Sequence, residues 1–231
     1  MSKYSRNFVR QAILQFFCQI KDINVLDETV KACGFVREGD ALRNDVILNP
    51  PSHPSYKQSI IGRYRLNKIT LNIEYDKITF QILDDVHYEF AKFKNAYTRI
   101  ISSLLIGEIA ITRIGLRYVN VIPFSFLKED MFELYIKNFI ENTKDIKNMS
   151  RAIMHLEYGD GQYRIIKKLS YTNVNSVRHF LIDYDVIRFL DSLFVVSASE
   201  LEPLVEASHN YINQLFEEDI KDDFRRLLNG R

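Results

Sequence analysis

An alternation of apolar and polar residues in two neighbouring segments, Ile69–Tyr75 and Ile78–Leu83, constrains the fold more than any other feature of this chain. Successive side chains of a β-strand point to opposite faces, so the alternation predicts two strands with one buried and one wet face. Asp76 and Lys77 lie between the segments, where a tight hairpin turn is expected. Strands with one wet face are typical of antiparallel sheets.

Other segments of the first half predict two helices and further strands. Phe8–Ile20 and Ser59–Leu66 are rich in apolar, β-branched or aromatic residues and predict strands. Leu26–Cys33 predicts a short helix that ends at Gly34, and Val86–Ile106 predicts a long helix with apolar residues at three- and four-residue spacing. With the hairpin and a strand after the long helix, the order β-α-β-β-α-β matches the ferredoxin-like pattern.

The remaining connections are predicted as loops. Val36–Tyr56 is expected to be irregular, and within it Asn49–Pro54 (N-P-P-S-H-P) disfavours helix before each proline. After Pro123, Lys128–Ile140 predicts a helical or looped connection. Glu141–Asn148 is polar and charged, which makes it the candidate internal boundary.

The second half predicts three strands followed by a C-terminal helix. The strand patterns are Ala152–Tyr158, Tyr163–Tyr171 and Val177–Phe189. Ser199 and Glu202 have the spacing of a capping box, which predicts that the helix begins there.

Composition is that of a soluble globular protein, with 46% hydrophobic and 26% charged residues among 231. We predict an α+β fold: antiparallel sheets with helices on one face, in two halves, residues 1–123 and 124–231, packed as one unit. Cys18 and Cys33 are expected to be free thiols of a cytoplasmic protein. No signal peptide or membrane helix is expected, because no segment approaches ~18 uninterrupted apolar residues.

The candidate site lies on the segment Ile109–Ile122 (I-A-I-T-R-I-G-L-R-Y-V-N-V-I), which predicts one long strand. Alternation places Arg113, Gly115 and Arg117 on one face of it. Glycine inside a strand usually marks a bulge or a close approach by another group. Two guanidinium groups beside a bare backbone patch would suit an anion such as phosphate or carboxylate.

Asp183 and Asp185, in the segment L-I-D-Y-D, share a face of another predicted strand about 7 Å apart. They are the obvious partners of Arg113 and Arg117, so structural ion pairing is one interpretation. Binding of an anion or a partner is the second, and a general acid and base or a cation site is the third.

Common catalytic and cofactor signatures are missing from the sequence. The five histidines have no zinc spacing, and there is no G-x-S-x-G, G-x-G-x-x-G or Walker pattern. We therefore predict no catalytic residue, no metal and no cofactor.

Nucleic-acid binding has some support from three basic and aromatic clusters, Arg63–Arg65, Arg113–Tyr118 and Tyr163–Lys168. Sheet-type RNA binders combine these residue types on strands. The ribonucleoprotein signature is missing, and 31 basic residues against 30 acidic ones create no overall attraction for phosphate backbones. Nucleic acid is therefore not the favoured partner.

The block Arg113–Ile122, R-I-G-L-R-Y-V-N-V-I, resembles the R-I-G-L-R-Y-x-N-x-I block of a sporadically distributed, uncharacterised family of bacterial and archaeal proteins. Asp183–Ile187 (D-Y-D-V-I) is similar to an aspartate-containing strand of that family, and Ser208–Ile220 is similar to its terminal helix with a histidine. The family has no established activity. Its patchy distribution implies an accessory or defence-type role.

The sequence thus leads us to expect a non-enzymatic binding or regulatory protein that recognises a protein partner or an anionic ligand. Its candidate residues are Arg113, Gly115, Arg117, Asp183 and Asp185. We expect no membrane association, and a homodimer is an open alternative. An enzyme of unusual type acting on nucleotides or nucleic acid, or an RNA-binding module, is the competing hypothesis.

Overall fold

The structure is a computed structural model that describes residues 8–19, 23–40, 43–44, 58–74, 76–83, 88–104, 110–123, 152–174, 177–195 and 198–230. The predicted proline-rich loop at 49–54, the connection at 128–140 and the charged segment at 141–148 lie outside the described residues.

Strands and helices follow one another in the order of an α+β protein. The strands are β1 (Val9–Gln19), β2 (Val36–Asp40), β3 (Arg43–Asn44), β4 (Gln58–Leu66), β5 (Ile69–Glu74), β6 (Lys77–Leu83), β7 (Ala110–Pro123), β8 (Ala152–Asp160), β9 (Tyr163–Val174) and β10 (Val177–Val195). The helices are α1 (Ile23–Ala32), α2 (Phe90–Leu104), α3 (Ala198–Asp219) and α4 (Asp222–Leu228).

All strand pairs of the described residues are antiparallel, and they form one sheet in the order β2-β4-β5-β6-β1-β7-β10-β9-β8, with β3 pairing with β4. The predicted hairpin is present as β5 and β6, where Ile69 faces Ile82 and Ile73 faces Ile78. The alternation of apolar residues therefore identified both strands and their pairing.

The predicted ferredoxin-like first half is not supported as a unit, because the sheet does not end where a four-stranded unit would. β1 lies between β6 and β7, but β4 and β2 extend the sheet beyond β5, and β10, β9 and β8 extend it beyond β7. The division of the chain after residue 123 stays a prediction, and the pairing of β7 with β10 crosses that point.

The prediction of irregular chain over Val36–Tyr56 is wrong for β2 and β3. β2 has the sequence V-R-E-G-D, which lacks the apolar alternation of a half-buried strand. It forms because it pairs with the edge of β4, with Val36 opposite Arg65. Long-range pairing therefore overrides a weak local pattern here.

One face of the sheet carries the core. Alternate residues of β1 (Ala12, Leu14 and Phe16) are fully buried on this face. Phe16 and Tyr97 of α2 lie with their ring centroids 6.1 Å apart, so α2 packs directly over β1. Such tilted aromatic pairs add to the stabilisation from apolar burial.

The same face receives α1 and α3. The hydroxyl of Tyr64 on β4 donates a hydrogen bond to Asp27 of α1 at 2.5 Å. The hydroxyl of Tyr184 on β10 donates a hydrogen bond to Asp219 of α3, and Lys167 on β9 donates to the same carboxylate at 3.1 Å.

The opposite face of the sheet, which we call the distal face, carries none of these three helices. It is the face of Gln15, Arg113, Arg117 and Asp185. Among the helices of the described ranges, none is both long and apolar enough to cross a membrane.

Candidate functional site

The fold brings all five predicted site residues together on the distal face. In the pairing of β7 with β10, Arg117 lies directly opposite Asp185 and Gly115 opposite Ile187. On its other side, Gly115 lies opposite Gln15 of β1. The site is therefore a patch at the centre of the sheet, across β1, β7 and β10.

Arg117 is held by Asp183 and not by the aspartate that faces it. Its Nε donates to Oδ1 of Asp183 at 2.8 Å, and its Nη2 donates to Oδ2 at 2.7 Å, which is a bidentate ion pair. The Asp183 side chain is only 11% exposed, whereas Arg117 is 37% exposed. These hydrogen bonds raise the pKa of Arg117, so the guanidinium is a permanent cation engaged by its own protein.

Asp185 has no such contact. Within the described parts of the chain, its carboxylate makes neither a hydrogen bond nor an ion pair, although it faces Arg117 across the strands. Burial raises the pKa of Asp185 to about 6, and the charge of Asp183 adds to this rise. Arg117, Lys168 and Arg164 act in the opposite direction but do not cancel it. Asp185 is thus a largely buried acceptor to which no described residue donates a hydrogen bond.

Arg113 forms the other end of the patch. Its guanidinium carbon lies 4.1 Å above the ring centroid of Phe17, in a cation–π contact. Phe189 faces Arg113 from β10 and is 42% exposed. Among the described carboxylates none forms an ion pair with Arg113, so the N–H groups at the edge of its guanidinium can donate to a ligand.

Gly115 is not explained by the packing of the sheet. A Cβ placed there would lie 3.6 Å from Cβ of Gln15, which is an ordinary van der Waals distance. No bulge occurs at this position in either described strand pairing, so of the two expectations for this glycine the bulge is not met. Gly62 differs, because a Cβ there would lie 2.6 Å from the ring of Tyr64. Gly115 is itself buried, with side-chain atoms of Gln15 and Phe17 nearest to a Cβ built there, so neither a bulge nor a steric clash explains why this position is a glycine.

The basic and aromatic clusters do not form an RNA-stacking surface. Tyr64 and Tyr118 are 2% and 4% exposed, and both lie in the core on the helix-covered face. Tyr163 stacks on Tyr211 of α3 with their centroids 4.6 Å apart. Because neighbouring residues of a strand point to opposite faces, the arginines next to these tyrosines lie on the other side.

A second polar cluster, which the sequence patterns did not reveal, lies beneath the site on the helix-covered face. The hydroxyl of Tyr88 donates to that of Tyr118 at 3.0 Å, and the Tyr118 hydroxyl lies 2.8 Å from Nδ1 of His209. The ring of His209 stacks on the ring of Phe90, with their centroids 3.8 Å apart. Burial lowers the pKa of His209 to about 4. Because Tyr118 accepts from Tyr88, its own hydroxyl donates a hydrogen bond to the unprotonated Nδ1 of a neutral His209, and the cluster ties β7 to α2 and α3.

Tyr118 and His209 belong to two of the sequence blocks on which the family resemblance rests, and the fold brings those blocks into contact.

Over the described residues, no group of three or more His, Cys, Asp or Glu side chains is arranged to hold a metal ion. No protein family and no curated protein matches the chain.

Proposed function

We propose that this protein is a non-enzymatic binding protein that receives a protein partner on its distal face, with Asp185 accepting a basic side chain of that partner. The observation that carries the proposal is that two neighbouring aspartates, Asp183 and Asp185, differ in their hydrogen bonds. Asp183 holds Arg117 through two hydrogen bonds, and Asp185, two residues further along the same face, holds nothing among the described residues.

A partner's Lys or Arg would supply what Asp185 lacks. A largely buried carboxylate without a hydrogen bond is unfavourable in the free protein, because removal from water penalises its charge. A donated N–H bond from a cation would restore the lost interaction, and charge-assisted bonds are the strongest of their kind. The same carboxylate would repel an anion, and Arg117 is already engaged by Asp183, so a protein partner is favoured over an anionic ligand.

The surroundings of Asp185 have the character of a protein interface. Phe17 and Phe189 provide aromatic surface, and Arg113 lies between them with a guanidinium that forms no ion pair with any described carboxylate. Aromatic residues and arginine are enriched at interface centres.

An enzyme acting on nucleotides or nucleic acid is the second candidate, and one observation favours it. A carboxyl group with a pKa of about 6 can act as a general acid or base near neutral pH. In that case Asp185 would exchange a proton with a substrate, and Arg113 would hold a phosphate. On the resemblance of the Arg113–Ile122 block, we place either activity in an accessory or defence-type system.

Affinity capture with matched variants tests the proposal. The tagged full-length protein would be expressed in its own cells as wild type, as Asp185→Asn and as Glu89→Gln, and the complexes analysed by native mass spectrometry. Glu89 is an exposed carboxylate beside Lys92 at the start of α2, so Glu89→Gln is a neutralisation away from the distal face.

We expect a stoichiometric protein partner with the wild type and Glu89→Gln, and its loss with Asp185→Asn. Capture of the same proteins by all three forms, or of no partner by the wild type, would contradict the proposal. Turnover of a nucleotide by the wild type that Asp185→Asn abolishes would favour the enzyme instead.

A further inference from the structure

Among the described residues, the sheet ends in a long strand, β8, whose outer edge pairs with no other described strand. β8 is the last strand in the order, and the strand it pairs with among those described is β9. It pairs with β9 over all nine residues, from Ala152 opposite Tyr171 to Asp160 opposite Tyr163, without a register shift. Ile153, Leu156 and Tyr158 on β8 are 54%, 44% and 39% exposed. A long, regular edge strand with exposed apolar side chains is a template for pairing with another strand.

The opposite edge of the sheet is protected in the usual ways. β2 is five residues long and carries Arg37, Glu38 and Asp40, and its pairing with β4 has a register shift. Short length, charge and irregularity all prevent strand addition. β8 has neither lysine nor proline nor a bulge. The difference between the two edges indicates that β8 is kept open for pairing.

We propose that β8 pairs with β8 of a second copy, antiparallel and centred on Leu156, to form a dimer with one continuous sheet. A two-fold axis perpendicular to the sheet at Leu156 places the helices of both copies on the same side. In that register the two Leu156 side chains face each other, and Met154 faces Tyr158. All of these side chains are apolar or aromatic, and cross-strand contacts between them stabilise a sheet.

Charge complementarity selects this register among the alternatives. On the distal face it sets His155 of each copy opposite Glu157 of the other, so an imidazole N–H meets a carboxylate twice. Glu157 already pairs with Arg164 of its own chain, and it keeps a second oxygen for this contact. A register centred on His155 would instead set Ile153 opposite Glu157, and one centred on Glu157 would bring two carboxylates together, which is destabilising.

Sedimentation equilibrium with two matched variants tests the dimer. Leu156→Lys sets two ammonium groups against each other at the two-fold axis and should convert a dimer into a monomer. Val36→Lys introduces the same residue at an exposed position of the opposite edge, where Val36 is 69% exposed, and should leave the dimer intact. Because both positions are exposed, circular dichroism should show the fold of the wild type for both variants.

Disulfide trapping tests the register. Leu156→Cys places the two introduced thiols opposite each other, with Cβ atoms roughly 4.5–5.5 Å apart, so mild oxidation should yield a covalent dimer. Ile153→Cys faces Gly159 of the other copy and should not cross-link. The wild type, with Cys18 buried and Cys33 half-buried, gives the background.

A wild-type chain that sediments as a monomer would overturn the proposal, and so would a dimer that survives Leu156→Lys or that cross-links equally through Ile153→Cys. The interface lies two strands from β10, which carries Asp185. Loss of the dimer in Leu156→Lys with retained partner capture would therefore separate this proposal from the proposed function.

Discussion

Replacement of Asp185 by asparagine should stabilise the free protein at neutral pH. A pKa raised from the ordinary value of 3.8 to about 6 corresponds to about 3 kcal/mol of destabilisation by the charged form. Asparagine removes the charge but leaves a polar amide without a partner, which costs roughly 1 kcal/mol. The expected net gain in the free energy of unfolding is therefore about 1–2 kcal/mol at pH 7.

The size of this stabilisation depends on pH in a way that identifies its cause. Because the folded-state pKa of Asp185 lies above the unfolded value, the folded protein binds the proton more tightly. The penalty is then fully present above about pH 6 and disappears as the pH falls below about 4. The advantage of Asp185→Asn should shrink over the same interval.

Urea denaturation of both proteins at steps between pH 4 and pH 8 measures the difference. A gain that does not change with pH would show that the charge of Asp185 is not its source. A loss of stability at pH 7 would show that Asp185 has a partner in the free protein, and the reasoning would be refuted.

Three further predictions follow from neighbouring contacts. Asp183→Asn should lower the free energy of unfolding by roughly 1–3 kcal/mol, opposite in sign to Asp185→Asn, because it weakens the bidentate pair with Arg117. Gly62→Ala should destabilise by about 1–3 kcal/mol because its Cβ would meet the buried ring of Tyr64. Gly115→Ala should be neutral or stabilising by up to ~1 kcal/mol, because a Cβ there meets only ordinary contacts. Thermal denaturation measures both changes in stability. The wild type should lose stability as the pH falls from about 6.5 to 4, because the pKa of His209 is lower in the folded protein and the unfolded chain therefore binds the proton first. His209→Gln should reduce this loss. Equal profiles of the free energy of unfolding against pH for the two proteins would contradict the prediction.

Local sequence patterns predicted most elements but not their neighbours. The alternation over residues 69–83 identified both β5 and β6, and the adjacency of those strands in the chain made their pairing predictable. β10 continues past the predicted end at Phe189 because, after a register shift, Phe194 pairs with Ile111 at the start of β7. Such pairing between distant segments leaves no mark in either segment alone. It also explains why the sheet extends beyond the ferredoxin-like pattern.

The candidate site was predictable as a set of residues on one face, but not as a set of contacts. Alternation correctly grouped Arg113 with Arg117 and Asp183 with Asp185. Which aspartate binds Arg117 depends on the register of β7 against β10 and on the rotamer that reaches diagonally from Arg117 to Asp183. The contact between Tyr118 and His209 requires the whole fold, because 91 residues separate them along the chain.

The central claim is that the Asp185 carboxylate, which accepts no hydrogen bond from any described residue, stays without a donor until a partner binds, and its own titration tests this most directly. Carbon-detected NMR of the side-chain carboxyl, assigned by comparison with Asp185→Asn, would follow its chemical shift against pH in the full-length wild type. We predict a midpoint at about 6. A midpoint at or below the ordinary aspartate value of about 3.9 would mean that a donor already occupies the carboxylate, and the claim would fail.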